Sequence, residues 1–240
     1  MGNANNHLVM EKIQSLCKEQ REYLEQYFKF APMWLFSSFS IQHFDANTVF
    51  IKEGEKVSTI YFLIEGAAKA TDYRIYGAMY DYMWFTPVKV FGALEVILEE
   101  KIYKTTLTTT EPCTMFVINR VVYEEWILQD VNALRMEASA AAHSLLKQTR
   151  RERVYLFMQG MDRMAYFFMH YYEQFQRNGM CQVRLTRQDM CDCTGLSVKT
   201  INRALVHLEE SNCLKKVGNR IYLEKEHYDE LSKYMSELVE

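Results

Sequence analysis

No glycine or proline interrupts the chain between Val121 and Phe157, and this stretch constrains the fold more than any other feature. Both residues disfavour a helix interior. Their absence, together with Ala138, Ala140, Ala141, Ala142, Leu145 and Leu146, predicts a long helix over about 121–157. Leu134, Ala138, Ala141, Leu145 and Gln148 step by 4, 3, 4 and 3, the spacing of a seam between two helices. The helix can pack on its own domain or on the same helix of a second copy. The long alanine-rich face, with no adjacent partner helix evident in the sequence, points to a homodimer. Arg150, Arg151 and Arg153 close the segment, and a second helix, Asp162 to Phe175, follows Gly160.

Upstream the texture differs. Leu8, Ile13, Leu16, Leu24, Tyr27 and Phe28 fall roughly at helical spacing. From His43 to Asn119 short runs rich in Val, Ile, Tyr, Phe and Thr recur: Thr48–Ile51, Thr59–Ile64, Lys89–Phe91, Thr105–Thr110 and Thr114–Ile118. Gly54, Gly66, Gly77, Gly92 and Pro112 punctuate them. Short strands at this spacing predict an antiparallel β-roll or barrel. Its run of aromatics, Tyr73, Tyr76, Tyr80, Tyr82, Trp84 and Phe85, suits strand packing or a site for an apolar or aromatic small effector.

Downstream, Leu185 to Glu210 carries the chemistry. Thr186 is placed to cap a short helix with Asp189 closing a capping box. Gly195 supplies a turn, and Ser197 caps a second helix. On that helix Ile201, Leu205 and Leu208 share one face, while Lys199, Asn202, Arg203 and Val206 lie opposite. Such a face fits a major groove, where Arg pairs with guanine and Asn with adenine. The run Leu214 to Leu223 reads as a basic hairpin around Gly218-Asn219. Between Cys181 and Leu223 seven bases stand against four acids, a local +3 in a chain of net charge −3. The tail from Glu224 to Glu240 carries a net −4 and is expected to point away from DNA.

This block resembles the C-terminal domain of the CRP/FNR family of transcription regulators. The resemblance is carried by Leu185-Thr186-Arg187-Gln188-Asp189, Gly195-Leu196-Ser197, Thr200-Ile201, Arg203, Leu205 and Leu208-Glu209. It implies that Arg187, Ser197 and Thr200 hold phosphates and that Arg203 reads a base. The expected DNA-facing set is Arg187, Gln188, Ser197, Val198, Lys199, Thr200, Asn202, Arg203, Lys216 and Arg220. Many members carry Arg or Glu where this chain has Val198 and Lys199, which implies a different recognised sequence.

The upstream roll, with Phe50-Ile-Lys-Glu-Gly-Glu55 and Ile60-Tyr-Phe-Leu-Ile-Glu-Gly66, resembles the family's cyclic-nucleotide-binding domain. The resemblance covers roughly residues 45–225. The family's cAMP binders carry a Glu for the ribose hydroxyl and, about ten residues on, an Arg for the cyclic phosphate. This chain has Phe91-Gly92-Ala93-Leu94, then Tyr103 or Lys104 with Thr105. Lys does not replace Arg in a bidentate phosphate site, so cAMP is not the expected effector. Gly92, Ala93, Tyr103, Lys104, Thr105, Gln148 and Thr149 mark the expected effector region. Gln148 and Thr149 fit seam polar positions equally well.

The reading is therefore an α+β chain. A β-roll effector domain with a dimerisation helix spans 1–157, and a winged helix-turn-helix spans 158–240. The expected function is a dimeric, effector-controlled, double-stranded-DNA-binding regulator, with RNA polymerase as a partner if it activates. The alternative is a ligand-sensing module that signals to a protein partner without reading DNA. Composition sets other classes aside. Apolar residues make up 49% yet no run reaches membrane-span length, and Met1 to Gln26 is polar with no signal-peptide core. Six scattered cysteines then read as reduced thiols in a cytoplasm. Cys191-x-Cys193 is too tight for a usual zinc pair, and one of the two should point into the helix pair's core. Cys17 stands alone where an iron–sulfur member needs a cluster of thiols. The six histidines are isolated, and no phosphate loop, nucleophile elbow or paired-carboxylate signature appears. No catalytic residue, metal site or cofactor is expected beyond an unidentified small effector.

Overall fold

The computed structural model describes residues 2–73 and 79–239. These form two compact units, and the division between Lys147 and Gln148 falls inside a helix. The first unit opens with α1 (Gly2–Ser15), α2 (Lys18–Tyr27) and α3 (Met33–Ser37). The single amphipathic segment expected over residues 8–30 is thus two helices, with Leu16 and Cys17 between them. Then come β1 (Ser40–Phe44), β2 (Val49–Ile51), β3 (Thr59–Glu65), β4 (Ala68–Tyr73), β5 (Met79–Phe85), β6 (Lys89–Phe91), α4 (Ala93–Ile97), β7 (Thr106–Thr109) and β8 (Cys113–Asn119).

The strands make two four-stranded sheets, ordered β1-β8-β3-β6 and β2-β7-β4-β5, the roll that the Gly-punctuated runs predict. Period-2 alternation sends the side chains of β3 two ways. Tyr61 meets Phe44 of its own sheet at 6.3 Å and Phe50 of the other sheet at 5.4 Å. Phe50 also lies 5.4 Å from Phe91, and Phe85 lies 5.0 Å from Phe91. Of the aromatic run, Phe85 thus packs within the roll. Tyr76 lies outside the described residues, as do the side chains of Tyr73, Tyr80 and Tyr82.

The opposite face of β3 is closed by helices. Phe62 meets Tyr27, Phe28, Phe39 and Tyr123 at ring separations of 5.3–6.0 Å. Tyr27 and Tyr123 are fully buried, and their hydroxyls share a 2.7 Å hydrogen bond.

The long helix expected over about 121–157 is divided. α5 (Arg120–Ile127) ends before Asp130, and α6 (Val131–Phe157) begins after it. The cause is a cap. Asp130 Oδ1 accepts from the backbone N–H groups of Asn132 and Ala133 at 3.1 and 3.0 Å, and Oδ2 accepts from Trp126 Nε1 at 3.1 Å. A buried aspartate that satisfies two first-turn donors starts a new helix without glycine or proline. No described helix is long and apolar enough to cross a membrane.

The second unit contains the end of α6, then α7 (Gly160–Phe175), β9 (Met180–Val183), α8 (Arg187–Thr194), α9 (Val198–Glu210), β10 (Lys215–Val217), β11 (Arg220–Glu224) and α10 (Lys225–Val239). The expected hairpin is present, with Lys215↔Tyr222 and Val217↔Arg220 in register. It gains a strand the sequence did not announce: β9 pairs antiparallel with β11 and makes a sheet ordered β10-β11-β9. The acidic tail forms α10, which packs on α7. There Tyr234 donates to Asp162 at 2.6 Å, Tyr228 donates to Glu173 at 2.9 Å, and Tyr228 stacks on Tyr172.

One buried acid sits at the root of α6. Glu137 is 7% exposed, and its Oε1 has no hydrogen-bond partner. Burial pushes its carboxyl up to about 6, against opposing effects from Lys89 and Tyr27. The folded state therefore holds this proton more tightly than the unfolded state. Its contribution to stability is fully present below the ordinary value of 4.5 and is lost as pH rises through about 6. The loss amounts to about 2 kcal/mol at pH 7. Glu137→Gln should gain stability over the parent by about that amount between pH 4.5 and 7, read from urea denaturation midpoints. A difference that does not change with pH would contradict the raised value.

Candidate nucleic-acid interface and effector region

The second unit presents α9 through a chain of local causes. Thr186 Oγ1 accepts from the Asp189 backbone at 3.1 Å, and Asp189 Oδ2 accepts from the Thr186 backbone at 2.7 Å. This reciprocal pair starts α8 as the sequence spacing requires. Gly195 ends α8 at φ +69°, a left-handed position that glycine occupies without Cβ strain. Ser197 then caps α9, accepting from Thr200 N at 3.2 Å. Cys193 is buried and Cys191 half-buried, so one sulfur of the Cys-x-Cys pair does enter the core.

α9 buries Ile201, Ala204, Leu205 and Leu208, each at most 4% exposed, and packs against α7 and α8. That stripe leaves Val198, Lys199, Asn202, Arg203, Val206, His207 and Glu210 exposed along the outer face of the helix. Thr200 is half-buried and turned toward α7. A Cβ at Gly160 would lie 2.6 Å from its Cγ2, so the absence of a side chain at Gly160 lets the two helix starts meet.

Two hydrogen-bonded pairs divide the basic side chains by role. Arg187 Nε donates to Asn202 Oδ1 at 3.2 Å, tying the start of α8 to the outer face of α9. Lys216 Nζ lies 2.6 Å from Glu209 Oε2, and its backbone N–H donates to Oε1 of the same carboxylate at 3.2 Å. The lysine holds that carboxyl below its ordinary value. Lys216, expected among the DNA-facing residues, therefore spends its charge on Glu209. Arg220 is exposed on β11, and Gln188 is exposed on α8 with Nε2 donating to Asp192 at 2.9 Å. The spacing 187–202 matches no helical or strand period, and 209–216 spans a turn, so neither pair could be found by a periodicity search. The exposed His207 and Glu210 were likewise absent from the expected set.

In the first unit, Phe91, Gly92 and Ala93 form a buried corner where β6 turns into α4. Gly92 has φ +88°, and a Cβ there would come 2.8 Å from Ile60 Cδ1 and 3.0 Å from Thr59 O. Ala93 is 1% exposed. Tyr103 is buried beside this corner. Its hydroxyl donates to Thr59 O at 2.5 Å and accepts from Thr59 N at 3.3 Å. Burial pushes the phenol up to about 12, so it stays neutral. Its backbone is pinned too: Tyr103 N donates to Glu55 O, and Tyr103 O accepts from Gly54 N, both at 2.9 Å. Lys104 is exposed and paired with Glu100 at 2.9 Å. Thr105 is half-buried, and Thr149 is exposed on α6. The side chains of Gln148, Arg150, Arg151 and Arg153 lie outside the described residues.

On the α6 seam, Leu134 and Ala141 are half-buried, and Ala138 and Leu145 are exposed.

Comparisons with known proteins bear on both units. Residues 41–130 match the family model described as a cyclic nucleotide-binding domain. Residues 162–228 match the one described as a Crp-like helix-turn-helix domain. Over 192 residues the chain is 22% identical to the cAMP-activated global transcriptional regulator CRP of Pasteurella multocida, covering 78% of this chain and 91% of that one. It is 21% identical to the protein of the same name from Salmonella typhimurium over the same share of each. Among solved structures, FixK2 of Bradyrhizobium japonicum shares the fold with a TM-score of 0.66 at 20% identity, covering 80% of this chain and 96% of that one. The c-di-GMP-responsive regulator CLP of Xanthomonas campestris does so with a TM-score of 0.65 at 18% identity, covering 78% and 95%.

Proposed function

The chain belongs to the CRP/FNR family of transcription regulators, and on that premise we propose that it works as a homodimer. It binds double-stranded DNA through α9 and the β10–β11 wing, under the control of a small effector held by the β-roll. One observation carries this reading. α9 is capped, buried on one stripe and exposed on the other, and the exposed stripe carries Lys199, Asn202 and Arg203. A groove-reading helix needs that division. A module that signalled only to a protein partner would need neither the basic face nor the wing. The family comprises regulators rather than enzymes, and the chain would act in the cytoplasm, on RNA polymerase if it activates.

Within this reading residues 1–157 form the effector domain, and residues 158–240 form the DNA-binding domain. Arg203 reads a base. Arg187, Ser197 and Thr200 approach the phosphates, with Gln188, Val198, Lys199, Asn202 and Arg220 beside them. Lys216 reaches the backbone only in exchange for its bond to Glu209. The α6 seam of Leu134, Ala138, Ala141 and Leu145 joins the two copies, and their half-sites sit about 34 Å apart. Effector binding shifts the population between two placements of the DNA-binding domains.

The effector is not cAMP. Ala93 offers no carboxylate to a ribose. Tyr103 or Lys104 stands where the family's phosphate-binding Arg would be; the Tyr103 hydroxyl is committed to Thr59, and Lys104 is paired with Glu100. Gly92, Ala93 and Thr105 remain the proposed floor of the effector site.

Selection and sequencing of bound genomic fragments by the purified chain, with and without a metabolite extract, tests the whole reading. Arg203→Ala should cost about 1–3 kcal/mol on the selected site and flatten the preference at one base pair per half-site. Arg187→Ala should weaken binding to all sequences and lower the salt slope by about one. A consensus unchanged by Arg203→Ala but altered by Arg187→Ala would remove the assignment. Ala141→Glu places like charges in the seam and should yield monomers by light scattering at micromolar concentration, and a surviving dimer would exclude that seam. Titration calorimetry with cAMP should show no binding tighter than about millimolar, roughly −4 kcal/mol. A micromolar dissociation constant would overturn the assignment of Tyr103.

A further inference from the structure

Two valines on the outer face of α9 are out of place for a solvated helix surface. Val198 is 43% exposed and Val206 is 49% exposed, although the helix already has a complete buried stripe. They do not flank the core; they lie on the same exposed face as Lys199 and Arg203. With Asn202 they fall at i, i+4 and i+8, one line along the helix. The two valines are separated by about 12 Å of helix rise, comparable to the width of a major groove. The cations on the neighbouring positions make a protein or lipid occupant of so narrow a stripe a poor match.

Asn202 sharpens the chemistry. Its Oδ1 already accepts from Arg187 Nε, so the group it has to offer is the donating Nδ2. A stripe of methyl, N–H donor and methyl is complementary to a base edge with an acceptor and a methyl group. In the major groove thymine alone presents both, as O4 and the C5-methyl. Guanine offers acceptors without a methyl, and cytosine offers a donor. We propose that Val198 and Val206 read thymine C5-methyl groups in each half-site, with Asn202 donating to a base acceptor between them. This inference rests on the DNA-binding reading above and adds to it the bases recognised.

The test uses the full chain and its own selected site. Each thymine is replaced in turn by deoxyuridine, which lacks only the C5-methyl, and affinity is read by fluorescence anisotropy for the parent, Val198→Ala and Val206→Ala. Two deoxyuridine positions per half-site, three or four base pairs apart, should each weaken the parent about fourfold, the effect of one methyl group returned to water. One of these losses should vanish in Val198→Ala and the other in Val206→Ala. Both variants should keep the salt slope of the parent, which shows that the fold and the phosphate contacts persist. If every deoxyuridine substitution is silent, or if the losses persist unchanged in both variants, the valines do not read thymine although the chain binds DNA. If the parent selects no site at all, the DNA-binding reading falls first and this inference with it.

Discussion

Burial of Ile201, Ala204, Leu205 and Leu208 against α7 and α8 is the contact on which the rest of the second unit depends. A thirteen-residue helix is marginal by itself, and this stripe is what holds it. Because an α-helix has a fixed period, fixing one stripe also fixes which residues face outward. Lys199, Asn202 and Arg203 are presented because their neighbours are buried. The caps at Thr186 and Ser197 and the left-handed turn at Gly195 set where the helix begins, and therefore which residues stand at its leading end.

Charge on this surface is more selective than a count of basic residues suggests. Lys216 is neutralised by Glu209, and Arg187 is tethered to Asn202. Arg203, Lys199 and Arg220 are exposed. A half-buried surface pair such as Lys216–Glu209 contributes modestly to stability. It also sets which cations are available to a phosphate backbone without first breaking a bond. In the first unit Tyr103 closes its hydroxyl onto the backbone of Thr59 and becomes part of the wall.

The first unit is organised around aromatic contacts on both faces of one sheet. Phe62 binds the helical cover, and Tyr61 joins the two sheets. The Tyr27–Tyr123 hydrogen bond lets two large polar-tipped side chains be buried without an orphaned hydroxyl. Glu137, which brings a carboxylate to the root of α6 beside them, is the exception, and its raised titration is the physical consequence.

Local rules were sufficient for much of this. The capping box of Thr186 and Asp189, the turn at Gly195 and the two-faced pattern of α9 are short-range features, each fixed by residues within a turn or two of one another. So are the Gly218-Asn219 hairpin and the Gly-punctuated strands of the roll. The sequence by itself therefore determined the strand-rich first half, the helix–turn–helix–hairpin order of the second half and the outward face of α9. The break at Asp130 is also a local cap, with partners two to four residues away, which a search for Gly and Pro alone passes over. The sequence did not determine the pairing of β9 with β11, the Arg187–Asn202 and Lys216–Glu209 bonds, or the closure of Tyr103 onto Thr59. Those depend on which surfaces meet when the chain compacts. The partners lie 7 to 44 residues apart on different elements, so only the tertiary structure could bring them within bonding distance.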